Sequence, residues 1–190
     1  YNQHEEVVKL LLEEIDPGQL VEESNHSRLA VHMAAHNENA AIVGLIVEAG
    51  PRALLTRKDA GGWCPIHLAA LKNASVDAVR VLVEAGGVET LQDADPGGQI
   101  PIHWAAGNEN VAIIEYLLHV GGVEQLYAKD NQGRTCMHLA TQQRTSSVLE
   151  FLAAHGSSAD VRDNNGRSSL DLAAASPATV SRCGMVYLTV

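Results

Sequence analysis

Aromatic side chains are nearly absent: four Tyr, two Trp and one Phe, or 4% of 190 residues. The hydrophobic share is still 46%. It is carried by Ala, Val and Leu, which suits small helices packed closely together. Cations are scarce too, with 13 Lys and Arg against 23 Asp and Glu and a net charge of −10. No run of basic residues occurs, and binding to a phosphate backbone needs clustered Lys and Arg, so no nucleic-acid partner is expected. Cysteines are few, odd in number and far apart: Cys64, Cys136 and Cys183. A disulfide framework is therefore not expected, and the thiols read as small packing residues in a reducing, intracellular and cytoplasmic setting. No apolar run approaches the ~18 residues of a membrane span, so no membrane insertion is expected. Residue 1 is Tyr, and the chain is expected to be an excerpt of something longer.

What the chain does have is a recurring segment: small or Pro, apolar, His, apolar, Ala, Ala or Thr. It reads Ala30-Val31-His32-Met33-Ala34-Ala35, then Pro65-Ile66-His67-Leu68-Ala69-Ala70. It returns as Pro101-Ile102-His103-Trp104-Ala105-Ala106 and Cys136-Met137-His138-Leu139-Ala140-Thr141, with a worn copy at Ser169-Leu170-Asp171-Leu172-Ala173-Ala174. The histidines step by 35, 36 and 35 residues, and Asp171 follows after 33. A hexamer on a period near ~33 residues resembles the ankyrin-repeat family. The resemblance runs along nearly the whole chain. It implies an all-α solenoid of stacked helix-turn-helix units with short β-hairpin fingers, and a protein that binds other proteins.

The expected units are 1–27 (a second helix and finger, its first helix missing because the chain opens inside a repeat), 28–62, 63–98, 99–133, 134–166 and a degenerate 167–190. Local signals support each one. Pro65 suits a first helical turn, Ser75 an N-cap, and Gly86-Gly87 a helix stop. Second helices are predicted at 39–47, 110–118 and 147–152, and turns at Asp59–Gly62, Asp95–Gly98, Asp130–Gly133 and Asn164–Gly166. Residues 88–95 should run outward as an extended finger. After Glu48, Glu84 and His119 the fingers are two or three residues longer than the family length, and the extra residues should enlarge loops without touching the core.

Nine histidines raise the question of a metal. His32, His67, His103 and His138 fall on successive helices, in a row rather than at one point, and no zinc-type spacing accompanies them. In the family such a histidine hydrogen-bonds between neighbouring repeats, so a structural role is expected and no metal or cofactor. Phosphate-loop and nucleophile-elbow motifs are also missing, and no catalytic residue is assigned.

Trp104 takes the buried leucine place after His103, as Leu68 and Leu139 do after their histidines, so burial is expected. Trp63 stands between a turn glycine and a first helix. The matching residues are Arg28, Gln99, Arg134 and Arg167. Trp and Arg are frequent binding hot spots, and this row is the candidate contact for an acidic protein partner. Asn37, Glu38, Lys72, Asn73, Asn108, Glu109, Gln142, Gln143 and Arg144, at first-helix ends and the turns that follow, form a second candidate layer of the same concave face.

The C-terminus breaks the pattern. Residues 171–188, ending Ser176-Pro177-Ala178-Thr179-Val180-Ser181-Arg182-Cys183-Gly184-Met185-Val186-Tyr187-Leu188, resemble a segment of the motor ring of dynein heavy chains. That resemblance implies an alternative role as an accessory module or fragment of a microtubule motor, with dynein or microtubule-associated machinery as partner and a cytoskeletal or axonemal location. Two other readings stand beside it: a spurious or spliced fusion, or a relic that now caps the last repeat.

Overall fold

A computed structural model describes residues 2–36, 39–71 and 75–175. The chain divides into two compact units, Tyr1–Pro96 and Gly97–Val190. The first unit holds α1 (Asn2–Glu14), α2 (Ala30–His36), α3 (Ala40–Ala49), α4 (Pro65–Ala70) and α5 (Val76–Gly86). The second holds α6 (Pro101–Gly107), α7 (Val111–Gly121), α8 (Cys136–Gln143), α9 (Ser146–Ala154) and α10 (Ser169–Ala175).

Within each unit, short first helices alternate with longer second helices. In the first unit α2 packs on α3, α4 on α5, and α3 bridges α1 and α5. In the second α6 packs on α7, α8 on α9 and α10, and α7 on α9. The first helices are rich in alanine because their backbones approach closely: Ala35, Ala69, Ala70, Ala105, Ala106 and Ala140 are fully enclosed. The second helices bring the larger apolar residues, such as Ile113, Ile114 and Leu117, all inaccessible to solvent.

Helix ends follow local chemistry. Asn39 Oδ1 accepts from the N–H groups of Ala41 and Ile42 at 3.0 and 3.3 Å, Ser75 Oγ from Asp77 at 3.2 Å, and Asn110 Oδ1 from Ile113 at 3.1 Å. Gly87 and Gly122 stop α5 and α7 with φ of 86° and 84°, in the region that glycine tolerates.

The fingers differ from expectation. Among the described residues no strand forms. Turns are closed instead by isolated backbone bonds, such as Asp130 N–H to Arg134 O and Gly133 N–H to Asp130 O, both at 2.9 Å, and neighbouring turns are tied by bonds such as Asn131 N–H to Gly97 O at 2.9 Å. Residues 88–95 are not extended throughout, because Val88–Gln92 winds into a 3-10 turn. The same turn forms at Pro17–Val21, Arg52–Thr56 and Val123–Tyr127. These segments do enter the core. Leu20, Leu55, Leu91 and Leu126 are exposed by 5, 4, 0 and 1%. The segments after α1, α3, α5 and α7 thus each add an apolar plug to the core, since burying a leucine returns more free energy than leaving the segment in solvent.

Candidate functional site

The repeat histidines are buried on every first helix from α2 to α8. Each ring sits at the third helical position, where its Nδ1 accepts a backbone N–H from the residue just before the helix. The donors are Leu29, Cys64, Ile100 and Thr135, at 3.1–3.2 Å. The opposite nitrogen donates to finger carbonyls. His32 Nε2 reaches Arg57 O and Trp63 O at 3.0 and 3.1 Å, and His67 reaches Asp93 O at 2.9 Å. His103 reaches Ala128 O at 3.1 Å, and His138 reaches Arg167 O at 3.2 Å. This pattern assigns the neutral tautomer protonated on Nε2. Partners lie both in the histidine's own repeat and at the start of the next, so the bond is only partly the inter-repeat tie that family resemblance implies.

With both nitrogens engaged, these rings have no lone pair to offer a metal. Among the described residues no cluster of potential metal ligands occurs. Burial lowers the proton affinity of His32, His103 and His138, because a charged ring loses its hydration there.

Cys64, His67 and Asp93 gather at one place without making a nucleophile. Burial pushes the Cys64 thiol up to about 11, and its sulfur donates to Thr56 O at 3.5 Å. Burial likewise pushes Cys136 up to about 12. A thiol this far from its thiolate is inert at neutral pH. Asp93 carries a buried, unpartnered Oδ2, and burial raises its proton affinity.

The finger bases are organised by buried aspartates. Oδ1 of Asp59 accepts from the N–H of Gly61 and Trp63 at 2.8 and 3.1 Å. Asp130 does the same for Gln132 and Arg134, and Asp163 for Asn165 and Arg167, all at 2.9 Å. Ser24 substitutes in the first finger, accepting from Arg28 N–H at 3.2 Å. The fourth turn residue is a glycine with φ between 74° and 78° at Gly62, Gly98, Gly133 and Gly166. A side chain at Gly62 would strike the Pro96 ring.

The second aspartate oxygen then takes up the candidate contact row. Arg28 Nε donates to Asp59 at 3.0 Å, and Gln99 Nε2 lies 3.4 Å from Asp130. Arg134 reaches Asp130 at 2.7 Å and Arg167 reaches Asp163 at 3.0 Å. The guanidiniums are therefore already paired. Arg134 is the most enclosed, with 16% of its side chain exposed, and Arg167 the most open at 49%. Burial alone would raise Asp59 and Asp130, but backbone N–H groups and the paired arginine outweigh it and hold both below the usual carboxylate range. The Arg167 backbone N–H, joined by its guanidinium, draws Asp163 down to about 2.

The ankyrin-repeat family model, three copies, matches residues 31–124 and again 102–182. The chain belongs to the ankyrin-repeat family. No curated protein matches it. Ankyrin repeats generally mediate protein–protein interaction. Among the described residues no helix is long and apolar enough to cross a membrane.

Within the second unit the two candidate layers meet at one point. Arg134 Nη1 donates to Gln142 Oε1 at 3.2 Å, which places the finger base and the end of α8 on one side of the second unit. Gln142, Gln143 and Arg144 are exposed, and Arg144 is left-handed at φ 62° where α8 ends. Asn108 is turned back, its Nδ2 donating to Trp104 O at 2.7 Å. Trp63 is half-buried at its finger base, in the first unit. Trp104 is not enclosed as expected but half-buried, because an indole overfills the place that Leu139 occupies in the next repeat. Asn37, Glu38, Lys72 and Asn73 lie outside the described residues. So does the tail from Ser176, including the dynein-like run and the proposed cap; the ankyrin match itself extends to residue 182.

Two sets of residues escaped sequence reasoning. The plug leucines carry a readable signal, since Leu20, Leu55, Leu91 and Leu126 repeat with the same intervals of 35, 36 and 35 as the histidines. The turn aspartates Asp59, Asp95 and Asp130 share that period, but nothing in the sequence shows that Asp59 and Asp130 claim arginines.

Proposed function

We propose that this ankyrin array is a non-catalytic scaffold that binds a protein partner along its finger bases and first-helix ends. The observation that carries the reading is the Arg134–Gln142 bond, which brings the two layers together within the second unit. Trp63, Gln142, Gln143, Asn108 and Arg144 supply contacts, while Arg28, Gln99, Arg134 and Arg167 act through aspartate-paired heads. Lys72 extends the set. The rigid backbone presents these groups without further ordering, which limits the entropy lost on binding. Because the arginines are already neutralised locally, shape and hydrogen bonding weigh more in recognition than attraction to an acidic surface. Docking to dynein or other microtubule-associated machinery is the partner class implied by residues 171–188.

The test places a photo-crosslinking residue at Gln142 and, as control, at Glu150 on the exposed side of α9. Capture at Gln142 but not at Glu150 is expected. Trp63→Ala and Arg144→Ala should each weaken the captured complex about tenfold or more without changing the melting temperature. Equal capture at both positions would overturn the assignment.

A further inference from the structure

The finger turns read Asp59-Ala60-Gly61-Gly62, Asp95-Pro96-Gly97-Gly98, Asp130-Asn131-Gln132-Gly133 and Asp163-Asn164-Asn165-Gly166. The last sets an asparagine directly before a glycine, which happens nowhere else in the chain. An asparagine side-chain amide lies within reach of the next backbone nitrogen, and a glycine leaves that nitrogen unshielded because it has no Cβ. Gln132 also precedes a glycine, but its longer side chain would close a larger ring that forms more slowly. Asn165 is exposed, and so is Gln132 at the same place in the sister turn. Gln132 stays exposed although Asn164 N–H of the following turn is bonded to its carbonyl at 2.8 Å, so this position faces solvent even where a further turn lies against it.

We infer that Asn165 is a site of spontaneous covalent modification that unlatches its own turn. Gly166 N attacks Asn165 Cγ, the Cγ–Nδ2 bond breaks, and the proton from Gly166 leaves with the amide nitrogen as ammonia. Water then opens the cyclic imide. Opening at Cγ gives aspartate. Opening at the main-chain carbonyl gives isoaspartate, in which the chain runs through the former side chain. In sum one water is taken up and one ammonia is lost.

The closed turn holds this reaction back. Gly166 N–H is bonded to Asp163 O at 2.9 Å, and the N–H groups of Asn165 and Arg167 share Asp163 Oδ1, each at 2.9 Å. Attack requires the first of these bonds to open, so conversion proceeds through local opening. Isoaspartate then prevents reclosure, because its backbone is one methylene longer between the two N–H groups that share Oδ1. The same span positions Arg167 O, which accepts from Asp163 N–H at 2.9 Å and from His138 Nε2 at 3.2 Å. Arg167 also belongs to the proposed contact row. A change in partner affinity rests on that reading, whereas the conversion and the opened turn do not.

The full 190-residue chain, kept folded at mildly alkaline pH beside the same chain unfolded in urea, tests this by peptide mapping with isoaspartate detection. Asn165 should convert in both, about tenfold to a hundredfold more slowly when folded, while Asn131 and Gln132 remain amides. Hydrogen exchange of the converted folded chain should rise at 163–168 and stay unchanged at 130–134. Asn165→Gln should abolish both the conversion and the rise in exchange. A folded chain still unconverted after about a hundred half-lives of the unfolded reaction overturns the inference. So does folded conversion at the unfolded rate, which would mean that the turn is no latch, and so does a converted chain whose exchange at 163–168 has not moved.

Discussion

The second unit contains two fingers built on the same turn but anchored differently. After α7 the chain winds through Val123–Tyr127, buries Leu126, and bonds Tyr127 Oη to Gly156 O at 3.1 Å. After α9 the finger is shorter and has no 3-10 turn. It anchors through its backbone, with Ser157 N–H on Leu152 O at 3.0 Å and Ala159 O accepting from Ser169 N–H at 3.1 Å. Both end in the same aspartate turn, at Asp130 and Asp163. The lesson is that extra residues after a second helix become core when one of them is a leucine in register. The turn itself does not depend on that plug.

The largest effect should come from removing the plug. Leu126→Ala is expected to cost about 2–5 kcal/mol, through lost burial and a cavity that closes only partly. Ser157→Ala in the short finger should cost about 1 kcal/mol or less. Urea melts of the two variants compare them, and equal losses would mean that the long finger is only a loop.

The histidines sharpen the contrast next. His103 holds the exit of the long finger at Ala128, whereas His138 reaches past the short one to Arg167. His103→Ala leaves the buried N–H of Ile100 and the part-buried carbonyl of Ala128 without their partner and should cost about 1–3 kcal/mol by thermal melting. Hydrogen exchange should then rise across 123–128, while His138→Ala should expose the turn at 163–167.

Acid should act in two windows. His32, His103 and His138 have lowered folded pKa values, so below about 6.5 the unfolded chain takes up protons that the folded chain refuses. Stability should fall as the pH drops from that point, and His103→Gln should flatten the decline. Asp163, at about 2 when folded against about 3.9 when unfolded, contributes stability that is complete above pH ~4 and lost as pH falls toward 2. Asp163→Asn should narrow the second window, to which Asp59 and Asp130 also contribute, and leave the first. A melting temperature constant from pH 7 to 5 would contradict the neutral-tautomer assignment.

The smallest effect belongs to the exposed tie between the fingers. Tyr127→Phe should cost about 0.5 kcal/mol, because water replaces the lost bond. A larger loss would show that this hydroxyl, rather than Leu126, anchors the long finger.

How far the sequence could be read depended on the range of the interaction. The helices, the cap at Ser75, the stop at Gly87 and the turn glycines were all legible, whereas Asn39 and Asn110, read as the first residues of their helices, are caps. Each is decided within a few residues by backbone sterics and a nearby acceptor. The candidate face was legible as a row of positions, but its chemistry was not. Arg28 and Gln99 meet aspartates 31 residues away, and Arg134 and Arg167 turn back four residues to theirs. Which acceptor a long side chain takes depends on where neighbouring repeats put their carboxylates.

The repeat period and its hydrophobic hexamer alone determined that this chain stacks helix pairs of the ankyrin kind, because a periodic apolar face can be buried only by its neighbour. Only the tertiary structure decided that the finger leucines are core, that each histidine is neutral between a backbone donor and a finger carbonyl, that Trp104 stands half outside, and that the arginines are already paired. Apart from the four-residue pairs at Arg134 and Arg167, those outcomes depend on distances between segments about 30 residues apart in the chain, which packing sets and local propensity does not.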